Sequence, residues 1–192
     1  LYPVWFILIN AFNSAAAATF GTVKLWPQEW SIESFRIVLS DEDILNGFLI
    51  TFLRTTIATS LHVLFTALVA FGMSKRYLIG RKIYMRIALI TMLFNGGLIP
   101  NFILMTKLGL YNNFLVFIIP AMYTFFDMII FINFFRTIPD SLEESAFLDG
   151  ASNFQILRKI VLPLSKPILA TLSLFYAVGR WNSYADNKYF IR

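Results

Sequence analysis

The 192 residues are 58% hydrophobic and only 14% charged, with a mean hydropathy of +0.68. Soluble domains carry roughly a quarter charged residues, so this chain lacks the polar surface to cover itself in water and reads as an integral membrane protein. The absence of cysteine removes disulfides, thiolate chemistry and cysteine metal sites, and a single histidine, His62, argues against a zinc or non-haem iron centre.

In chain order, Leu1 to Asn13 reads as the outer part of a helix. The chain opens inside an apolar run without an initiator Met, so both ends are expected to be truncated. No basic start or small-residue cleavage site of a signal peptide is present. An external segment, 14–45, follows, with Lys24 and Arg36 set against Glu29, Glu33, Asp41, Glu42 and Asp43, and with Trp26 and Trp30 suited to the membrane interface. Thr55–Ser74 and Ile87–Thr106 each approach the roughly 20 apolar residues that span a bilayer as a helix. Leu108–Phe126 continues past Asp127 into Met128–Phe135, and Pro167–Gly179 runs on through Arg180 toward Tyr184. About five spanning segments are therefore predicted. Each is helical, because lipid offers no partner to an unpaired backbone group.

Lys and Arg set the orientation. Lys75, Arg76, Arg81, Lys82 and Arg86 cluster after the second span, and Arg136, Arg158, Lys159 and Lys166 lie in the loop 136–166. Both groups face the cytoplasm by the positive-inside rule. Topology thus accounts for the net charge of +5, and nucleic acid is not expected as a partner. The whole chain, 1–192, reads as one transmembrane domain with the bilayer as its solvent.

Capping chemistry predicts two short helices within Ile138–Pro167. Ser141 with Glu144 is a capping-box pattern opening a helix after Pro139. Gly150 is placed to end it, where positive φ suits glycine. Ser152 with Gln155 opens a second helix that Pro163 is expected to stop, and Pro167 fits the first turn of the last span. The second helix has an apolar side of Phe154, Leu157, Ile160 and Val161, and Phe147, Leu148 and Ala151 stand just before it. Apolar surface of this extent has to be buried. The physical pattern leaves two readings open: a helix pair folded on the membrane or on its own bundle, or a docking element inserted into another protein.

Several polar and aromatic residues stand inside the predicted spans. Asp127 within a span is costly unless it faces protein, water or a partner; it can pair with Arg54 or Arg180, or form an interhelical bond. Arg54 is expected to snorkel outward, Arg180 likewise, and His62 to make a polar contact between helices. Asn95-Gly96-Gly97 and Pro100-Asn101 interrupt the third span, where freed backbone groups need neighbours or a wet cavity. Tyr123, Tyr176 and Trp181 offer ring faces and Asn182 an amide, although aromatics also hold helices at interfaces.

The spacing Glu144-Ser145-Ala146, three residues, Gly150, nine residues, Ile160, one residue, Leu162-Pro163 resembles the EAA loop of ABC importer permeases. Ser145, where the family usually has Ala, is the departure in those positions. Asp149-Gly150-Ala151-Ser152, Leu162-Pro163-Leu164 with Pro167, and Trp181-Asn182 look like the sugar-permease branch. The likeness runs from Asn10-Ala11-Phe12-Asn13 to Tyr184. It implies an all-α membrane bundle of the ABC importer permease type in a bacterial cell membrane, with further helix beyond Arg192. It also implies a coupling loop, including Leu157, seated in a cytoplasmic ATPase. Glu144 would pair there with a basic group, and Gly150 would permit a sharp turn and close approach. The implied partners are a second homologous permease, an ABC ATPase dimer and an external solute-binding protein. The implied activity is ATP-driven uptake of a sugar or oligosaccharide along a translocation path for which Asn95, Tyr123, Asp127, Tyr176, Trp181 and Asn182 are the candidates. The aromatics would stack on sugar faces, and Asp127 and Asn182 would meet hydroxyls, although the companion permease can hold most of the sugar contacts. No Walker A pattern is present. ATP and Mg are therefore expected on the ATPase subunits, with no catalytic residue, metal or cofactor in this chain. The alternatives are a non-sugar cargo, a proton-coupled transporter using Asp127 and His62, and an intramembrane enzyme, for which the residue set is poor.

Overall fold

The computed structural model describes residues 2–14, 25–75, 77–94 and 96–190. Its elements are helices, and among the described residues the one bridge of β type joins Asn13 to Trp30. Lys24, Arg76 and Asn95 lie outside the described residues. Contacts divide the chain into two compact units, Leu1–Thr51 and Phe52–Arg192.

In the first unit, α1 (Tyr2–Ala11) is followed by the segment expected to lie outside and by α2 (Glu33–Ser40). The segment is tied back to the end of α1 by backbone bonds. Ser14 N–H donates to the Glu29 carbonyl at 3.0 Å, and Ser31 N–H to that of Phe12 at 2.9 Å. Buried Asn13 receives the Glu29 N–H on Oδ1 at 3.0 Å. Trp5 Nε1 donates to the Leu25 carbonyl and meets Trp26 edge-on. Trp26 and Trp30 themselves are exposed, as suits the interface.

The helix α3 runs Glu42–Ser74, 33 residues, so it begins well before the expected Thr55 and takes in the last residues of the expected external segment. Asp41 explains the early start: its carboxylate receives the N–H groups of Asp43 and Ile44 at 3.0 and 3.3 Å. Glu42 and Asp43 then place negative charge on the positive end of the helix dipole.

The other expected spans are bent pairs. One is α4 (Arg81–Leu93) with α5 (Leu98–Lys107), entered through Gly97 at φ +82° and ψ −177°, a conformation open essentially only to glycine. Another is a 3₁₀ segment, Phe114–Ala121, turning by 49° into α6 (Phe125–Phe135). In the loop, α7 (Asp140–Leu148) precedes α8 (Asn153–Leu164), which meets α9 (Lys166–Trp181) at 80°; α10 (Ala185–Phe190) follows. Among the described residues, only α3 is a single helix long and apolar enough to cross a membrane, and three more spans exist if each bent pair is one.

The main core of the second unit joins Val63, Ala67, Ala70 and Phe71 of α3 to Met128, Phe131, Ile132 and Phe135 of α6, each set at helical spacing. Ile156, Leu157 and Val161 of α8 and Leu172 of α9 enter the same cluster. Lipid tails are as apolar as these side chains, so the gain is close packing rather than release of water. The helix α8, in the loop expected to face the cytoplasm, is therefore built into the bundle core.

Candidate functional site

The turn between α7 and α8 has the form predicted around Gly150 but not around Ser141. Gly150 stands at φ +79°, its N–H donates to Phe147 at 3.0 Å, and the Ala151 N–H reaches back to Ala146 at 2.9 Å. Those two bonds make a complete Schellman motif. A Cβ at Gly150 would meet nothing within 4 Å, so within this chain the requirement is the left-handed backbone rather than space. Gly150→Val is expected to strain the turn by about 1–3 kcal/mol and to lower the midpoint of heat-induced loss of monodisperse protein more than Gly150→Asn does. Equal midpoints for the two variants would show that positive φ is not needed.

Ser152 and Gln155 form both halves of the predicted capping box, at 3.3 and 2.8 Å. The Ser141–Glu144 box is absent: α7 starts at Asp140 with Pro139 at its N-cap and no side-chain cap bond. Starting the helix two residues earlier moves Ser141 inside the first turn, where its hydroxyl cannot cap. Nor does Pro163 stop α8. The helix widens into a π turn over Leu157–Val161, with Leu162 N–H donating to the Leu157 carbonyl. That widening absorbs the ring and missing N–H of Pro163, which a regular α-turn would set against the Lys159 carbonyl. The real break is Ser165, fully buried, and Pro167 sits in the first turn of α9 as expected.

Within the loop, Glu144, Ser145, Asp149 and Gly150 are exposed, as is Pro163, while Ala146, Ala151, Ile160 and Leu162 are half-buried and Leu157 is buried. Ala146, Asp149, Gly150, Ala151 and Ile160 line one cleft with Gln155, Ile156 and Lys159. Leu148 at 90% and Phe154 at 64% are exposed, an apolar outer face on a loop whose inner face is core.

A second constellation lies at the bend before α6. Thr124 caps α6: it accepts the Asp127 N–H at 3.4 Å and donates its hydroxyl to Asp127 Oδ2 at 2.7 Å. Asp127 thus occupies the first turn of a helix, where the dipole favours its charge. Its partner is His62, with Nε2 2.8 Å from Oδ2: of the readings open from the sequence, the interhelical bond forms, through the expected polar contact of His62, rather than a pair with Arg54 or Arg180. The His62 side chain is 1% exposed; its Nδ1–H donates to the Ala121 carbonyl at 2.8 Å, and its ring stacks on Tyr176 at 3.8 Å.

The 3₁₀ segment releases carbonyls from regular helix bonding, and side chains of α3 and α9 take them up. Ala121 also receives the Tyr176 hydroxyl at 2.7 Å, Phe117 receives Arg180 Nη2 at 3.1 Å, and Met122 receives Thr66 Oγ1 at 3.5 Å. Arg54 is 4% exposed and donates to the carbonyls of Ser183 and Arg180 at 2.7 and 3.3 Å, beside the Phe117 ring. Snorkelling is thereby ruled out for Arg54: the end of α9 presents negative dipole and the carbonyls at and just beyond its last turn, which the guanidinium meets without leaving the protein. Of the other path candidates, Tyr123 is half-buried with its hydroxyl on Met128 Sδ, Trp181 is exposed, and Asn182 is exposed and bonded to the Val178 carbonyl. Asn95 lies outside the described residues.

Sequence reasoning missed Thr124 and the roles of Arg54 and Arg180. The Thr-x-x-Asp spacing at 124–127 was available as a capping signal. The carbonyl acceptors were not, since they arise only from the 3₁₀ bend.

The chain is 41% identical over 93% of its length to the polygalacturonan/rhamnogalacturonan transport system permease protein YtcP of Bacillus subtilis (strain 168). It is 33% identical over 96% of its length to protein LplC of the same organism. It spans 65% and 62% of the lengths of those two relatives. In structure it superposes, with a TM-score of 0.88 and 35% identity, on a chain from the crystal structure of a bacterial ABC transporter involved in the import of the acidic polysaccharide alginate, covering 100% of this chain and 69% of that one. Residues 40–186 match the family described as the binding-protein-dependent transport system inner membrane component, and the chain belongs to that family.

Proposed function

We propose that this chain is a membrane-spanning permease subunit of an ATP-driven importer for a sugar or oligosaccharide. In this reading it pairs with a second permease, docks on two ATPase subunits that bind and hydrolyse ATP with Mg, and receives cargo from an external solute-binding protein. The observation that carries it is the loop 136–166. Its second helix is built into the bundle core, while Glu144, Leu148 and Phe154 remain exposed. A loop rigid on one side and apolar plus acidic on the other suits a groove in a partner protein. The names of YtcP and of the alginate transporter support a saccharide cargo. Tyr123, Tyr176, Trp181, Asn182, Asp127 and Asn95 remain the candidates for the path, with Tyr176 and Asp127 already engaged by protein groups. A non-sugar cargo is the alternative within the family. Membership speaks against a proton-coupled carrier, and both ring nitrogens and the stacked face of His62 are occupied.

The test is affinity purification of the full-length protein from native membranes in mild detergent, with partners identified by mass spectrometry. Recovery of an ABC ATPase and a second permease, both lost with Gly150→Pro, is the expected result. Recovery of the chain alone, moving solute in liposomes without ATP, would overturn the proposal.

A further inference from the structure

The helix α7 carries exposed Glu144 yet buries no residue of its own. Its hold on the bundle is therefore made by a few contacts. Ala146 packs on the core as a half-buried side chain. The other link is ionic: Glu143 pairs with Lys75 at the end of α3. The two side chains are 20% and 12% exposed, and the Lys75 ammonium lies 4.0 Å from the centroid of buried Phe71. This pair is largely withdrawn from water and backed by an aromatic face, unlike a surface ion pair with freely moving side chains. The same turn holds α8, since the Tyr77 hydroxyl reaches Asn153 Oδ1 at 3.4 Å. It is also tied to α3, since Arg81 Nε donates to the Met73 carbonyl at 2.7 Å.

Glu143 and Glu144 are successive residues on a helix, so their side chains diverge by about 100°. One points to the bundle and one away from it. Resting on the proposed function, we infer that Lys75 and Glu143 form a strut that carries displacement of the docked loop into α3, which makes them positioning residues for coupling. Glu144 meets the ATPase; Glu143 passes the movement inward. Phe71, which backs the strut, belongs to the face of α3 that packs on α6, so a shift of Lys75 acts directly on the spanning core.

The test uses the complete importer in liposomes: the full-length chain, second permease, ATPase pair and binding protein, with uptake per ATP hydrolysed as the readout. Lys75→Met and Glu143→Gln are expected to leave assembly and ATP hydrolysis in place and to lower that ratio by about tenfold. Lys75→Glu or Glu143→Lys alone should lower it further, and the two together should recover most of the loss. A merely structural role would reduce the amount of assembled complex and leave the ratio unchanged. An unchanged ratio in both neutral variants would overturn the strut, as would a double reversal no better than either single one. Where a single reversal does not assemble, the two neutral variants decide. ATP-independent uptake by the unmodified assembly would instead overturn the proposed function, so the two failures are distinguishable.

Discussion

His62→Leu is expected to lower the thermal stability of the chain strongly while leaving the apparent affinity for transported substrate where it was. The imidazole joins α3 to both sides of the bend before α6, through Asp127 Oδ2 and the Ala121 carbonyl, each at 2.8 Å. Removing it leaves a carboxylate that is only 17% exposed facing an alkyl group. Leaving a buried polar group without its hydrogen-bond partner costs about 1–3 kcal/mol, and more for a charged one, and loss of the stacked contact with Tyr176 adds about 0.5–1.5 kcal/mol. Asp127→Asn is milder, since an amide keeps acceptor capacity for Thr124. The double variant His62→Leu, Asp127→Asn should cost less than the sum of the two, because the orphaned charge has gone. The measurement is the midpoint of heat-induced loss of monodisperse protein in detergent, run beside uptake kinetics. A tenfold change in substrate affinity with an undiminished midpoint would place the pair on the translocation path instead.

The contrast between what was readable and what was not follows from locality. The capping box at Ser152 and the glycine turn at Gly150 depend on bonds within five residues, and both formed as expected. The start of α7 did not, because Pro139 fixed the N-cap two positions ahead of where the Ser-x-x-Glu pattern placed it. Pro163 misled for a related reason: proline breaks a regular α-turn, but a π turn over Leu157–Val161 removes the clash, and nothing in the sequence announces a π turn. Hydropathy found the apolar segments yet not their bends, since the bends at 122–124 and at Ser165 leave average hydrophobicity untouched. The site was least legible where its acceptors are backbone carbonyls. Arg54 and Arg180 read as charges seeking water, whereas the structure supplies Ser183, Arg180 and Phe117 carbonyls that no residue type encodes. Lys75 was readable as a cytoplasmic marker, and its pairing with Glu143 across 68 residues was not.

Glu144→Lys is expected to abolish ATP-dependent uptake with the subunit still inserted at normal levels. The argument turns on the side of α7 that each acid occupies. Glu143 is committed to Lys75, whereas Glu144 is exposed. A substitution at an exposed helical position away from such contacts alters stability by about 0.5 kcal/mol or less, and Glu144 lies past the first turn of α7, within which the dipole effect fades. That is too little to unfold a helix whose turn is closed by Gly150 and whose neighbour α8 sits in the core. Across the proposed interface the arithmetic differs, because reversing one member of a hydrogen-bonded charge pair costs about 2–5 kcal/mol or more. At about 1.4 kcal/mol per tenfold, that is a loss of some 30- to several-thousand-fold in association. Glu144→Gln should fall between the two, keeping a polar contact but not the charge. The checks are the level of the variant in the membrane, the amount of ATPase that copurifies with it, and the initial rate of uptake. Normal copurification and uptake would remove Glu144 from the coupling interface and leave the apolar face of Leu148 and Phe154 to carry the docking alone. Normal insertion with both lost would fix the outward side of α7 as the surface that reads the ATPase.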